Sequence, residues 1–313
     1  IHAYNCPQAN YLGCTTPSAT TADIVAFSHA SLFSPKNSTL AKPIDKGFLI
    51  NFPCLTKNQF KNNAPHSTAT SKGHMHQTRK GILSTKTAPA PLPLLPEPPA
   101  DDAFPQETPA PTVTYNCFVA VHAVPTGKTY SDQTGKFPTT SSLGNAYIFL
   151  FYDYDSNYIN GIPIKNREAS TILQAYTQAH NLLVKAGLRP KLHTLDNECS
   201  NALRDYMDNN AITYQTTPVG QHRRNAAERA IQTFKNHFIA GLSTCDPNFP
   251  LHLWCRLIPQ CNITLNLLRG SRLNPNLSAY AQIHGTFNFH STPLGPPGTK
   301  VVAYDTTKAS WAA

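Results

Sequence analysis

Tyr147-Ile-Phe-Leu-Phe-Tyr-Asp153, followed after four residues by Tyr158-Ile-Asn-Gly-Ile-Pro-Ile164, is the stretch on which the fold turns. Both runs are short, rich in β-branched and aromatic residues and bounded by turn formers, the signature of strands. Working outward, Thr126–Thr134 reads as an earlier strand, set off by Thr134-Gly135 and by the Ser142 to Asn145 turn. Three antiparallel strands fit that spacing. Asn166 is expected to cap a following helix in which Ile172, Tyr176, Ala179, Leu183 and Ala186 recur at helical spacing, with Gly187 past its end. A short strand over Lys191–Leu195, a helix over about Glu198–Met207, a strand near Ile212–Thr216 and a long helix from Ala226 complete the unit.

The order βββαβαβα predicts an α/β architecture of the RNase H-like class, a mixed five-stranded sheet with flanking helices. Its limits are expected at residues 113–298, with the start of a further β-rich segment over 299–313. Upstream, nine prolines between Ala88 and Pro111, mixed with Glu97, Asp101, Asp102 and Glu107, predict an extended linker over 81–112. The remaining 1–80 reads as a small basic helical module, with apolar spacing from Ile24 to Phe33, breaks at Gly47 and Pro53, and a start before Thr21 expected to lack order.

The formal net charge is +9 over 313 residues. Residues 1–80 and 113–313 are each net +6 while the linker is net −3, so two basic modules flank an acidic spacer. Surplus Lys and Arg fit a polyanionic partner, because neutralising phosphates releases condensed counterions. Eight cysteines lack any C-x-x-C pair, which argues against a disulfide framework or a thiolate zinc site and for reduced intracellular thiols. No apolar run approaches about 18 residues, so a soluble protein without a membrane partner is expected. The lack of an initial Met suggests a piece of a longer chain.

Three acids fall where such a sheet would gather them: Asp132 in the first strand, Asp196 after the fourth and Glu228 at the start of the long helix. Magnesium prefers carboxylate oxygens, and three carboxylates suffice to hold a metal pair. Each acid also has a plain structural reading: an Asp-Gln-Thr-Gly turn for Asp132, a helix cap for Asp196, and for Glu228 a capping box with Asn225. On the long helix, Ala227, Ile231, Phe234 and Phe238 form an apolar stripe, and Glu228, Gln232 and Lys235 line up beside it. The polar loop Thr217–Arg224 offers Arg223 and Arg224, whose guanidinium forks suit phosphate.

Tyr130-Ser-Asp-Gln-Thr-Gly135, Leu195-Asp-Asn-Glu198 and Asn225-Ala-Ala-Glu-Arg229 resemble the D, D and E motifs of retroviral and copia-type retrotransposon integrases. The resemblance covers about residues 126–270, and Asn-x-x-Glu-Arg is its most specific piece. It implies DNA integration by a DDE-type polynucleotidyl transferase, in which water trims a cDNA end and the new 3′-hydroxyl attacks target DNA. Asp132, Asp196 and Glu228 would be catalytic and bind two magnesium or manganese ions; Gln232, Lys235, Arg223, Arg224 and Asn225 would touch DNA. Gln232 departs from the commonly basic residue of relatives, and the interval from Asp196 to Glu228 is slightly shorter than theirs. The resemblance further implies a homo-oligomer, nuclear at integration and in a cytoplasmic particle before it. Asn266-Leu-Leu-Arg-Gly-Ser-Arg272 with Asn274-Pro275 and Tyr280 resembles the stretch that closes copia-type cores. The region of His29 with Lys72-Gly-His-Met-His-Gln-Thr-Arg79 resembles a degenerate pre-integrase segment, but His29, His66, His74 and His76 lack paired zinc spacing, so no zinc is expected. A ribonuclease H or transposase on the same fold, or an inactive nucleic-acid-binding remnant, remains open; ribonuclease H sites usually add a fourth carboxylate, for which no compelling partner stands in the chain.

Overall fold

The computed structural model describes residues 20–49, 52–53, 55–75, 124–195, 199–216, 226–297, 299, 303–305 and 310–312. Among the described residues four helices come first: α1 (Thr21–Ser31), α2 (Asn37–Asp45), α3 (Lys57–Asn62) and α4 (Thr68–His74). Then follow β1 (Lys128–Gln133), β2 (Tyr147–Asp153), β3 (Ile159–Ile164), α5 (Ala169–Lys185), β4 (Leu192–Leu195), α6 (Asn201–Asn209), β5 (Thr213–Thr216) and α7 (Ala226–Thr244). A 3-10 helix, Leu251–Leu257, leads into α8 (Ile258–Leu267) and α9 (Ala279–His284), and β6 (Ala303–Asp305) pairs antiparallel with β7 (Ser310–Ala312).

The main sheet has the order β3-β2-β1-β4-β5. The first three strands run antiparallel and β4 and β5 run parallel to β1, which is the RNase H-like arrangement expected from the sequence. Every residue of β2 after Tyr147 is buried, because helices cover both faces. Phe149 and Phe151 pack with Tyr176, Leu183, Leu203 and Met207 of α5 and α6. Ile148, Leu150 and Tyr152, pointing the opposite way, pack with Ile231, Phe234 and Phe238 of α7 and with Trp254 and Leu265. Alternation in one strand thus builds two cores.

One local detail differs from the sequence reading. Asn166 does not cap α5: its Oδ1 accepts the Glu168 amide at 3.2 Å, and the helix starts at Ala169 after Glu168, which makes no side-chain cap bond. The short Asn side chain closes its own turn before the helix begins. Gly187, by contrast, has φ +78° just after the α5 C-cap, with the Leu188 amide reaching back to the Leu183 carbonyl.

The exposed edge of β3 is closed by side chains. Asn266 accepts the Ile159 amide at 2.9 Å and donates to the Ile159 carbonyl at 2.7 Å, and Asn262 does the same for Gly161 at 2.9 Å each way. One turn of α8 matches the two-residue repeat of a strand, so two amides imitate a neighbouring strand and block further pairing. Gly161 has no room for a Cβ, which would fall 2.5 Å from Phe234 Cζ, and α7 therefore lies close under the sheet.

The first helices join this core. Phe33, fully buried, stacks on His237 of α7 at 5.3 Å and fills the space left by Gly241, where any Cβ would collide with its ring. Phe33 and Ser34 have φ of +64° and +46°, a conformation that costs about 1–3 kcal/mol per residue and here turns the ring onto α7. Val25, Leu32, Leu40, Phe52 and Phe60 share a further core with Leu267, Phe287, Phe289 and Leu294. The segment expected at 81–112 lies outside the described residues.

Candidate active site

Asp132 sits one residue before the end of β1, where it is half-buried and paired across the ladder with Leu150. Its Oδ1 accepts the Gln133 amide at 2.6 Å. It lines a cleft with Ser131, Gln133, Phe149, Arg167, Ile172, Leu195 and Leu203. Leu195 is the last residue of β4, so the C-terminal ends of two parallel strands open on one cleft. In open α/β sheets this is the end at which ligands bind.

The relative height of those strands is held by a histidine that the sequence reading passed over. His193 of β4 is fully buried, its Nδ1 2.8 Å from Thr129 Oγ1 and its Nε2 2.9 Å from Ser131 Oγ, both on β1. Burial pushes its pKa down to about 3, with His180 adding to the effect, so the ring is neutral and one nitrogen accepts while the other donates. With Thr129 opposite His193 in the parallel register, this bridge fixes where β4 ends relative to Asp132. The signal available in the sequence was a polar ring at an inward strand position facing two hydroxyl residues.

Arg167, also missed, projects from the β3 to α5 connection. Its Nη2 donates to the Thr134 carbonyl at 2.8 Å, and its guanidinium lies 5.0 Å from the Tyr147 ring centroid. An exposed cation thus borders the cleft that Asp132 lines.

Glu228 lies in the first turn of α7 with an exposed side chain. The helix that carries it is anchored beneath the sheet by Ala230 and by Ile231, Phe234 and Phe238, the last three buried as the apolar stripe predicted, with Tyr130 of β1 packed against the same cluster. Gln232 and Lys235 are exposed on the Glu228 side of the helix; Gln232 donates to Asn236 Oδ1 at 2.8 Å. Glu228 is not among the residues lining the Asp132 cleft. Asp196, Arg223, Arg224 and Asn225 lie outside the described residues. Among the described residues no group of three or more His, Cys, Asp or Glu could hold a metal ion.

The histidines of the first module are arranged differently from one another. His29 is buried and its Nε2 donates to the Pro35 carbonyl at 2.8 Å, while burial lowers its pKa. His66 is exposed, and His76 lies outside the described residues. Cys199, Cys245, Cys255 and Cys261 are free thiols, and burial raises the pKa of Cys245 to about 11. No helix among the described residues is long and apolar enough to cross a membrane.

No protein-family model matches the chain, and no curated protein sequence matches it. Among solved structures, it is similar to the HTLV-2 integrase catalytic core domain in complex with magnesium, at 20% identity over 52% of this chain and 98% of that one, TM-score 0.38. It is similar as well to the BIV integrase catalytic core domain, at 16% identity over 50% and 93%, TM-score 0.37. A third similar chain belongs to a simian T-cell lymphotropic virus intasome in complex with PP2A regulatory subunit B56 gamma, at 17% identity over 58% and 61%, TM-score 0.40. These scores are all below 0.5, and the fold assignment stands on the strand order and register.

Proposed function

We propose that this chain is the integrase region of a copia-type retrotransposon polyprotein and joins DNA ends to target DNA by phosphodiester transfer. The observation that carries the reading is the shared cleft at the C-terminal ends of β1 and β4, lined by Asp132 and by Leu195. Asp196, the next residue after Leu195 in the sequence, is taken as the second carboxylate. Glu228, from the helix packed under β1, supplies the third.

The donor set fits magnesium or manganese, since all three candidates are hard carboxylate oxygens and Asp132 is half-buried beside a cleft. Held by Asp132, Asp196 and Glu228, two such ions would supply Lewis-acid stabilisation to the attacking and leaving oxygens. The residues themselves hold the strand. Lys235 and Gln232, on the Glu228 side of α7, face the DNA backbone, joined by Arg223, Arg224 and Asn225. Arg167 at the cleft border adds a positive charge where a phosphate would enter. The products follow in order: water trims a cDNA end, and the freed 3′-hydroxyl is then joined to target DNA within a multimer of this chain.

Glu228→Gln tests the reading, because glutamine preserves the first turn of α7 and is a poor metal ligand. With magnesium and a labelled DNA end, strand transfer is expected to fall at least about a hundredfold while the melting temperature stays put. DNA retention by the unmodified chain with no cleavage would instead favour a non-catalytic binding protein.

A further inference from the structure

The exposed side of α7 does not stop at Lys235. Glu228, Gln232, Lys235, Ile239 and Leu242 follow each other at intervals of four, three, four and three, one continuous stripe along the helix. Its second half forms one wall of a groove whose other wall is the segment after β1, Gly135 to Pro138, with Ile148, Phe234 and Phe238 as the floor. Ile239 is 45% exposed there although it lies over a packed core. Lys136 and Lys235, both exposed, stand on the two walls, and no carboxylate is among the described residues that line the groove. Phe137 is held rigid by face-to-face stacking on Trp254, at 4.3 Å and 9° between planes, and by its amide bond to the Ala146 carbonyl. The wall is therefore preformed.

We propose that this groove binds an unpaired nucleobase of the DNA strand that runs along α7, with Lys136 and Lys235 on the flanking phosphates. This rests on the DNA-joining function proposed above. An apolar slot rimmed by two cations is complementary to a nucleotide, whose flat base is stacked or enclosed by hydrocarbon while its phosphates carry the charge. A paired base has its faces covered by its neighbours, so the slot selects single-stranded or frayed DNA. From Glu228 to Ile239 the helix rises about 16 Å, which places the base about five steps of about 3.4 Å from the carboxylates. The groove would thereby separate the strands at a set distance from the reacting end.

The test is binding of the 313-residue chain to three fluorescent DNAs: a blunt duplex, the same duplex with a six-nucleotide single-stranded overhang, and that overhang made abasic. Ile239→Ser and Lys136→Ala are measured beside the unmodified chain, with melting curves to verify folding. The expected result is about tenfold tighter binding to the normal than to the abasic overhang, lost in Ile239→Ser and reduced in Lys136→Ala, with blunt-duplex affinity unchanged in Ile239→Ser. Equal affinity for normal and abasic overhangs, or an Ile239→Ser loss that is the same on blunt DNA, overturns the groove and leaves the DNA-joining reading standing. Failure of the unmodified chain to bind any of the three overturns both.

Discussion

Two aspartates close the two ends of one ladder. Asp132 lies near the C-terminal end of β1, across from Leu150, and Asp153 ends β2, across from Thr129, about 10 Å away along the strands. Asp153 is 3% exposed, and its Oδ2 accepts the Ser156 amide at 2.7 Å and the Ser156 hydroxyl at 2.5 Å. Burial raises its pKa to about 6, opposed by the two Ser156 bonds. Asp132 opens on a cleft at the end of two parallel strands. A carboxylate enclosed by its own turn serves folding, while one at a strand end beside a cleft is accessible to a ligand. Side-chain type is the same in both; surroundings assign the role.

The sharpest way to break this contrast is Asp132→Asn against Asp153→Asn. Asp132→Asn is expected to lower strand transfer about a thousandfold with little change in melting temperature. Equal activity losses from the two variants would abolish the distinction. Next in size is Phe33→Ala, which empties the space over Gly241 and removes the stack on His237; chemical denaturation is expected to show a loss of about 3 kcal/mol. A smaller loss would mean that relief of the positive φ offsets the cavity.

Asp153→Asn sharpens the comparison through pH. The folded chain binds the Asp153 proton more tightly than the unfolded chain, whose carboxyl keeps the ordinary value of 3.8. This contribution to stability is complete below that value and is lost as pH rises to about 6, a change of about 2–3 kcal/mol. Melting curves of Asp153→Asn should therefore fall less steeply than those of the parent between pH 4 and 6; identical slopes would refute the burial argument. The smallest effect is expected from Gln232→Lys. One more cation beside Lys235 should steepen the dependence of log affinity on log salt by about 0.9, measured by titrating DNA at several salt concentrations.

Much of the core was legible along the chain because strand and helix signals are local. Tyr147–Asp153 was expected and found at the same limits, and α7 begins at Ala226 as its apolar spacing required. Asn166 misled because capping and Asx turns use the same residue and differ only in where the next amides point. The site was legible in part. Asp132 and Glu228 stand at the expected places in β1 and α7, but His193 and Arg167 were passed over, since each acts through partners 20 to 64 residues away in sequence. The same holds for the docking of the turn after α1 on α7, which depends on Phe33 meeting Gly241.

By itself, the sequence determined the order of strands and helices, the apolar faces of β2 and α7 and the carboxylates worth watching, because periodicity and turn chemistry act over a few neighbouring residues. Only the tertiary structure decided which aspartate is enclosed and which opens on a cleft, that two asparagines seal the edge of β3, and that the first helices share the core. Those outcomes come from contacts between residues far apart in the chain, whose geometry exists only once the layers have packed.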